Sequence, residues 1–180
     1  MTVAGDGPEL ETERLRLRQG RDDDLDAYAA LCADPEVMRW LGASGTPLTR
    51  DESAVQLDAF RRHWIDEGFG LWCAAPKATD ECIGFIGLAI PRFLPEVLPC
   101  VEIGWRLARA SWGRGLATEG ARAALDFGFG TVGLDRIVSV ARPENRASWN
   151  VMEKLGMAVE RRTVHPEHHF DVVVYDLDAP

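Results

Sequence analysis

The stretch Ser111–Gly120, SWGRGLATEG, sets Gly113 and Gly115 two apart with Arg114 between them, directly before an Ala-rich segment. Glycine lets another group come close to the backbone. A helix start presents unpaired N–H groups and a partial positive charge. Together these suit an anion, and a phosphate above all. Arg109 and Arg114 add positive charge. A glycine-rich helix start that is only a cap would use the same residues, and on this segment alone both readings stand.

Other constellations exclude classes of chemistry. Gly128, Gly130 and Gly133 satisfy G-x-G-x-x-G, but a dinucleotide fingerprint follows a strand and opens a helix. These glycines end a helix and precede the strand RIVSV, so they read as a C-cap and turn. There is no G-x-x-x-x-G-K phosphate loop and no G-x-S-x-G nucleophile elbow. His165, His168 and His169 lie in HPEHHF with no partner at H-E-x-x-H spacing, which suits loop or cleft histidines better than metal ligands. Cys32, Cys73, Cys82 and Cys100 form no C-x-x-C pair. They read as free thiols of a reducing compartment, and no metal is expected.

These residues need elements to position them. LETERLRLRQG alternates Leu15 and Leu17 with arginines, the period of one half-buried strand. Asp22 to Asp24 offer caps for a helix with Leu25, Tyr28, Ala29 and Leu31 on one stripe. Pro35 suits the first position of a second short helix, and LGASGTP is a loop. Thr49 caps a helix from Arg50 to about Glu67, with Glu52 at the capping-box position. FGLWCAA, CIGFIGLAI and CVEIGWRLA then read as consecutive antiparallel strands. A long helix follows from GLATEGARAALDFGFG, then the strand RIVSVA. NRASWNVMEKLG is a helix with Trp149, Met152 and Leu155 on one stripe and Gly156 as its stop. AVERRTV and FDVVVYDL close the chain as strands. The fold class is α+β, a mostly antiparallel sheet with helices packed on it.

With 180 residues, 46% hydrophobic and 27% charged, residues 1–180 read as a single globular domain. No apolar run is long enough to cross a bilayer, and MTVAGDGPEL lacks the basic and apolar regions of a secretory leader. A cytoplasmic location is the expectation. The net charge of -9 weighs against nucleic acid as a partner, which needs a basic face.

Several motifs in one order resemble the GNAT superfamily of N-acetyltransferases, in the branch that includes the ribosomal-protein alanine acetyltransferases. The superfamily signature is Q/R-x-x-G-x-G/A at the helix after the fourth strand. Gly115 and Ala117 fill its last two positions, and Trp112 stands where Gln or Arg is usual. The W-G-x-G-x-A-T-E form looks like that of the branch. LETERLRLR, DPEVMRWLG, GFGLWCAAPKATDECIGFIGL, ARPENRASWNVMEKLGM and HFDVVVYDL resemble family segments in the same order. The resemblance implies a mixed, mostly antiparallel seven-stranded sheet flanked by helices, with a splay between the fourth and fifth strands.

It also implies acetyl transfer from acetyl-CoA to a primary amine, by direct attack in a ternary complex. Backbone N–H groups of Trp112, Gly113, Arg114, Gly115, Leu116, Ala117 and Thr118 would hold the pyrophosphate. The strand carrying Ile103, Trp105 and Leu107 would pair with the pantetheine arm as an added strand does. Asn145 would hydrogen-bond that arm, and Arg109, Arg142 and Arg146 could meet phosphates. Glu102 stands where members often carry a general base. A strand-face carboxylate paired with an arginine is the alternative. Ser148 matches a serine proposed to protonate the thiolate, or it only serves the helix cap near Asn145. Tyr175 is a more distant acid. Trp40 and His63 or His168 would line the acceptor pocket. The acceptor would be a protein N-terminus or a small-molecule amine, and the resemblance leaves a homodimer open. The rival reading is a non-catalytic acyl-CoA-binding sensor or scaffold, which would keep the phosphate loop and dispense with Glu102 and Ser148.

Overall fold

The computed structural model describes residues 7–42 and 44–180. Residues 1–6, the start of the segment read as lacking a leader, and Ala43, inside the expected loop, lie outside that description.

The alternation in LETERLRLR predicts one strand, and the structure makes two: β1 (Leu10–Glu11) and β2 (Leu15–Arg18). Thr12 breaks the run. Its N–H donates to the Leu15 carbonyl and its hydroxyl accepts from the Leu15 N–H, both at 2.9 Å. Local side-chain bonding of this kind offers the backbone a turn in place of a strand. The sheet therefore has eight strands rather than seven, in the order β1-β2-β3-β4-β5-β6-β8-β7.

β3 (Leu71–Pro76), β4 (Gly84–Ala89) and β5 (Val101–Leu107) continue from β2 as antiparallel neighbours. β6 (Arg136–Ala141) pairs with β5 in parallel, and only through Val101↔Ile137 and Glu102↔Val138. Beyond Glu102 the two strands separate. This is the expected splay, between the expected segments, renumbered by the extra strand. β8 (Asp171–Asp178) and β7 (Ala158–Val164) complete the sheet in antiparallel pairing.

Strand alternation gives the sheet two apolar faces. Leu15, Leu17, Trp72, Ile86, Leu88, Ile103 and Ile137 pack with α4 (Leu116–Phe127) and α5 (Arg146–Lys154). Cys73, Ala75 and Phe85 pack with α1 (Leu25–Cys32), α2 (Pro35–Met38) and the front of α3 (Arg50–Glu67), whose Trp64 reaches the first group. α2 opens with Pro35 behind an Asp34 cap, and α3 has the expected Thr49–Glu52 capping box. Asp22 to Asp24 do not cap α1 with their side chains. Asp24 turns inward instead and accepts two bonds from the buried Arg18 guanidinium, at 2.7 and 2.8 Å. A buried guanidinium demands such a partner. Burial pushes the Asp24 carboxyl up, but Arg18 and the Arg21 N–H hold it below the ordinary range. Among the described residues, no helix is long and apolar enough to cross a membrane.

Candidate active site

β5 runs parallel to β6, so the chain leaves both strands at the same end of the sheet. α4 starts after β5 and α5 after β6. Two helix N-termini therefore stand at the wide end of the splay.

After Leu107 a 3-10 turn, Arg109–Ser111, reverses the chain. The Trp112 indole donates to the Leu107 carbonyl at 2.7 Å and fixes the loop to the strand end. Gly113 and Gly115 have φ of 70° and 78°, the left-handed region that suits glycine. A Cβ on Gly113 would meet nothing within 4 Å, so the space before this backbone is open. Gly115 is the N-cap of α4, and no side chain caps it. Leu116 is buried, so its contribution to an anion is limited to its N–H. The segment from Trp112 to Thr118 thus forms one continuous turn into an N-terminus without a side-chain cap.

Along β5, Ile103, Trp105 and Leu107 direct their N–H and C=O groups toward β6, since neighbouring residues alternate edges. Two bonds mark that direction. The Ser139 hydroxyl donates to the Ile103 carbonyl at 2.9 Å, and Leu107 accepts from Trp112. The Ile103 and Leu107 side chains are buried on the α4 face, so these residues offer a ligand only backbone. Trp105 packs partly buried against the same cluster.

Glu102 projects to the opposite face at the narrow end of the gap. Its carboxylate accepts from the Val140 N–H at 3.3 Å, a donor that the strand divergence releases. The expected alternative, pairing with an arginine, is not what the structure shows. Burial pushes its pKa up to about 8, and the Val140 bond opposes that rise. Asn145 is the N-cap of α5, and its side-chain oxygen accepts from the Ser148 N–H at 3.3 Å. The side chain of Asn145, not that of Ser148, forms the cap.

Tyr175 is buried in the α4 and α5 core against Trp149, with its hydroxyl 3.5 Å from Glu153. Burial, with the adjacent Glu153, makes the phenol harder to ionise. The structure does not bring Trp40, His63 and His168 together in any ring contact. Trp40 lies under Arg39, His63 against Phe69, and His168 on His165. Arg142 lies over the Phe170 ring and donates to the Gly42 carbonyl, Arg146 lies over Trp149, and Arg109 is exposed in the 3-10 turn. The four cysteines are free. Asp24, Cys73 and Cys82 place ligand atoms within 4.8 Å of one another, a grouping that C-x-x-C spacing does not reveal. Both Asp24 oxygens are already held by Arg18.

Ser139 was missed by sequence reasoning. It is the single hydroxyl in the apolar strand RIVSVA, and that interruption was the available signal. A cavity of about 570 Å³ opens beside the outer face of α4, lined by Thr12, Gly115, Thr118, Glu119, Arg122 and Lys154 among others. Glu102, Asn145 and Ser148 do not line it. The groups able to do chemistry gather at the splay instead.

The acetyltransferase (GNAT) domain family model matches residues 14–158. The chain belongs to this family. It is similar to the uncharacterized protein YkkB of Bacillus subtilis, at 35% identity over 82% of this chain and 84% of that one. It is also similar to the FsC-acetyl coenzyme A-N(2)-transacetylase of Aspergillus fumigatus, at 33% identity over 96% of this chain and 71% of that one. A crystal structure of an acetyltransferase from Agrobacterium tumefaciens superposes with a TM-score of 0.80, at 31% identity over 94% of each chain. Family membership supports acetyl transfer to an amine and implies acetyl-CoA as donor.

Proposed function

We propose that this chain transfers the acetyl group of acetyl-CoA directly to a primary amine in a ternary complex. One observation carries the reading: a strand splay that holds a half-buried carboxyl at its narrow end and two helix N-termini at its wide end. The N–H groups from Gly113 to Thr118 take the pyrophosphate; that of Trp112 already donates to the Arg109 carbonyl at 3.1 Å. The pantetheine arm follows the open edge of β5 at Ile103, Trp105 and Leu107, and the Asn145 amide bonds it near the thioester. The name of the Aspergillus relative, which includes acetyl coenzyme A, supports the donor.

The amine nitrogen attacks the thioester carbonyl and the C–S bond breaks. The amine loses a proton to Glu102, directly or through water, and the thiolate gains one, for which the Ser148 hydroxyl is the candidate by its match to the family serine. The strand N–H groups of Ile103 and Trp105 stabilise the oxyanion. A carboxyl whose pKa is raised to about 8 is suited to taking a proton near neutral pH. The acceptor is a protein N-terminus or a small-molecule amine.

Thermal unfolding with acetyl-CoA, against ATP and NAD controls, tests the donor. At about 100 times the dissociation constant, binding adds roughly 2.7 kcal/mol. For a chain of this size that raises the midpoint by roughly 5–11 °C. No shift at saturating acetyl-CoA sinks the proposal. Thiol release with a panel of amines then separates enzyme from sensor: a shift without release above hydrolysis leaves only the binding module.

A further inference from the structure

The turn that splits β1 from β2 carries two residues that the transfer reaction does not use, Thr12 and Arg14. Both reach the first turn of α4, more than a hundred residues away in sequence. Glu119, the fourth residue of α4, receives them. Its Oε1 accepts from the Thr12 hydroxyl at 2.6 Å and from the Arg14 N–H at 2.8 Å. Its Oε2 accepts from Arg14 Nε at 2.6 Å, with Nη2 at the same distance. The remaining arm of the guanidinium, Nη1, donates to the Arg114 carbonyl at 2.8 Å. One planar fork therefore holds a carboxylate and a loop carbonyl together, which a lysine could not do. Burial pushes the Glu119 carboxyl up, but Thr12 and Arg14 hold it below its ordinary value, so it stays ionised and engaged.

The Arg114 carbonyl shares a peptide plane with the Gly115 N–H. In a trans peptide these two groups point in opposite directions. Holding the carbonyl toward Arg14 aims the N–H away from it. The glycines on either side of Arg114 give this plane little resistance to turning. If it turned over, an acceptor would face the incoming anion in place of a donor. Arg14 also neutralises Glu119, whose bare charge would oppose a phosphate at this helix start. We infer that Arg14, held by Glu119 and Thr12, is a positioning residue that orients the Arg114–Gly115 peptide for the pyrophosphate. This rests on the donor proposed above.

The test compares Arg14→Ala, Arg14→Lys and Glu119→Gln with wild type, by calorimetric titration of acetyl-CoA and by steady-state kinetics. Arg14→Ala should raise both Kd and KM for acetyl-CoA roughly tenfold, a scale common for groups in one hydrogen-bonded network. kcat at saturating acetyl-CoA and the amine KM should stay within about twofold. Arg14→Lys should recover only part of the loss, and Glu119→Gln should weaken binding in the same direction. In the free protein, Arg14→Ala should move the Gly115 amide resonance while the melting midpoint changes little. Wild-type affinity in Arg14→Ala overturns the inference. So does full rescue by lysine, or undiminished binding in Glu119→Gln, because either result makes Arg14 a direct phosphate contact. A wild-type protein that ignores acetyl-CoA overturns the donor itself, a different result from a wild type that binds and variants that match it.

Discussion

Two helices in this molecule begin in opposite ways. At the start of α3, the Thr49 hydroxyl accepts from the Glu52 N–H at 3.2 Å, and the Glu52 carboxylate accepts from the Thr49 N–H at 2.7 Å. The helix closes itself with its own side chains. At the start of α4, a left-handed Gly115 holds the N-cap position and no side chain caps it. Its acidic residue, Glu119, faces Thr12 and Arg14 and not the helix end. An N-terminus without a side-chain cap has donors to offer something else. The difference in cap chemistry separates a helix start that satisfies its own donors from one that leaves them open, as the proposed phosphate site requires.

The strongest way to break this contrast is Gly115→Glu. It forces a side chain into a left-handed position and adds negative charge at the N-terminus. Acetyl-CoA affinity should fall by roughly a hundredfold or more, ~2.7 kcal/mol; titration reporting wild-type affinity would return the loop to a plain cap. Glu102→Gln comes next, with an expected drop of about a hundredfold in kcat and no change in acetyl-CoA Kd. In wild type kcat should rise with pH to a plateau above about 8, and the variant should lose that limb. A variant profile that overlays wild type removes Glu102 as base.

The same carboxyl makes a stability prediction. Its folded value lies above the ordinary one, so the folded state binds the proton more tightly. The stabilisation from the protonated group is complete below the ordinary carboxylate range and is lost as pH rises toward 8. Denaturant unfolding should show the stability of wild type relative to Glu102→Gln declining across that window, then levelling off. Thr49→Ala sharpens the contrast from the other side. It should cost about 1 kcal/mol of stability and leave acetyl-CoA binding untouched. Ser148→Ala should be the mildest, slowing turnover by roughly threefold or less if the hydroxyl assists the thiolate; an unchanged kcat assigns it to the helix start alone.

Local chemistry explains what could be read in advance. The Thr49–Glu52 box, Pro35, and the positive-φ glycines at 113, 115 and 156 each act within a few residues, and the structure places them where the sequence puts them. The sheet order around the splay and the loop before α4 were legible through motif order. The missing parts depend on burial, local side-chain turns and strand divergence, which periodicity and cap rules do not register. Nothing near Asp24 says that it will abandon a cap for Arg18, because that choice depends on a guanidinium becoming buried. Leu–Arg alternation runs through Thr12, so periodicity alone could not show the turn that makes an eighth strand. The Val140 N–H becomes a partner for Glu102 only because β5 and β6 diverge.

Trp112 gives the loop an optical signature. Trp112 is 44% exposed, whereas Trp64, Trp72 and Trp149 are all at most 7% exposed. It sits at the entry to the loop, held through its indole N–H to the end of β5. A ligand settling on Gly113 to Thr118 would change the solvent around a fluorophore that water reaches, while the buried indoles stay dark to the event. Acetyl-CoA titration should therefore shift the intrinsic emission of wild type, and Trp112→Phe should retain only the part that Trp105, half-buried on the β5 edge, contributes. Occupancy of the loop could then be followed in real time, with no label attached.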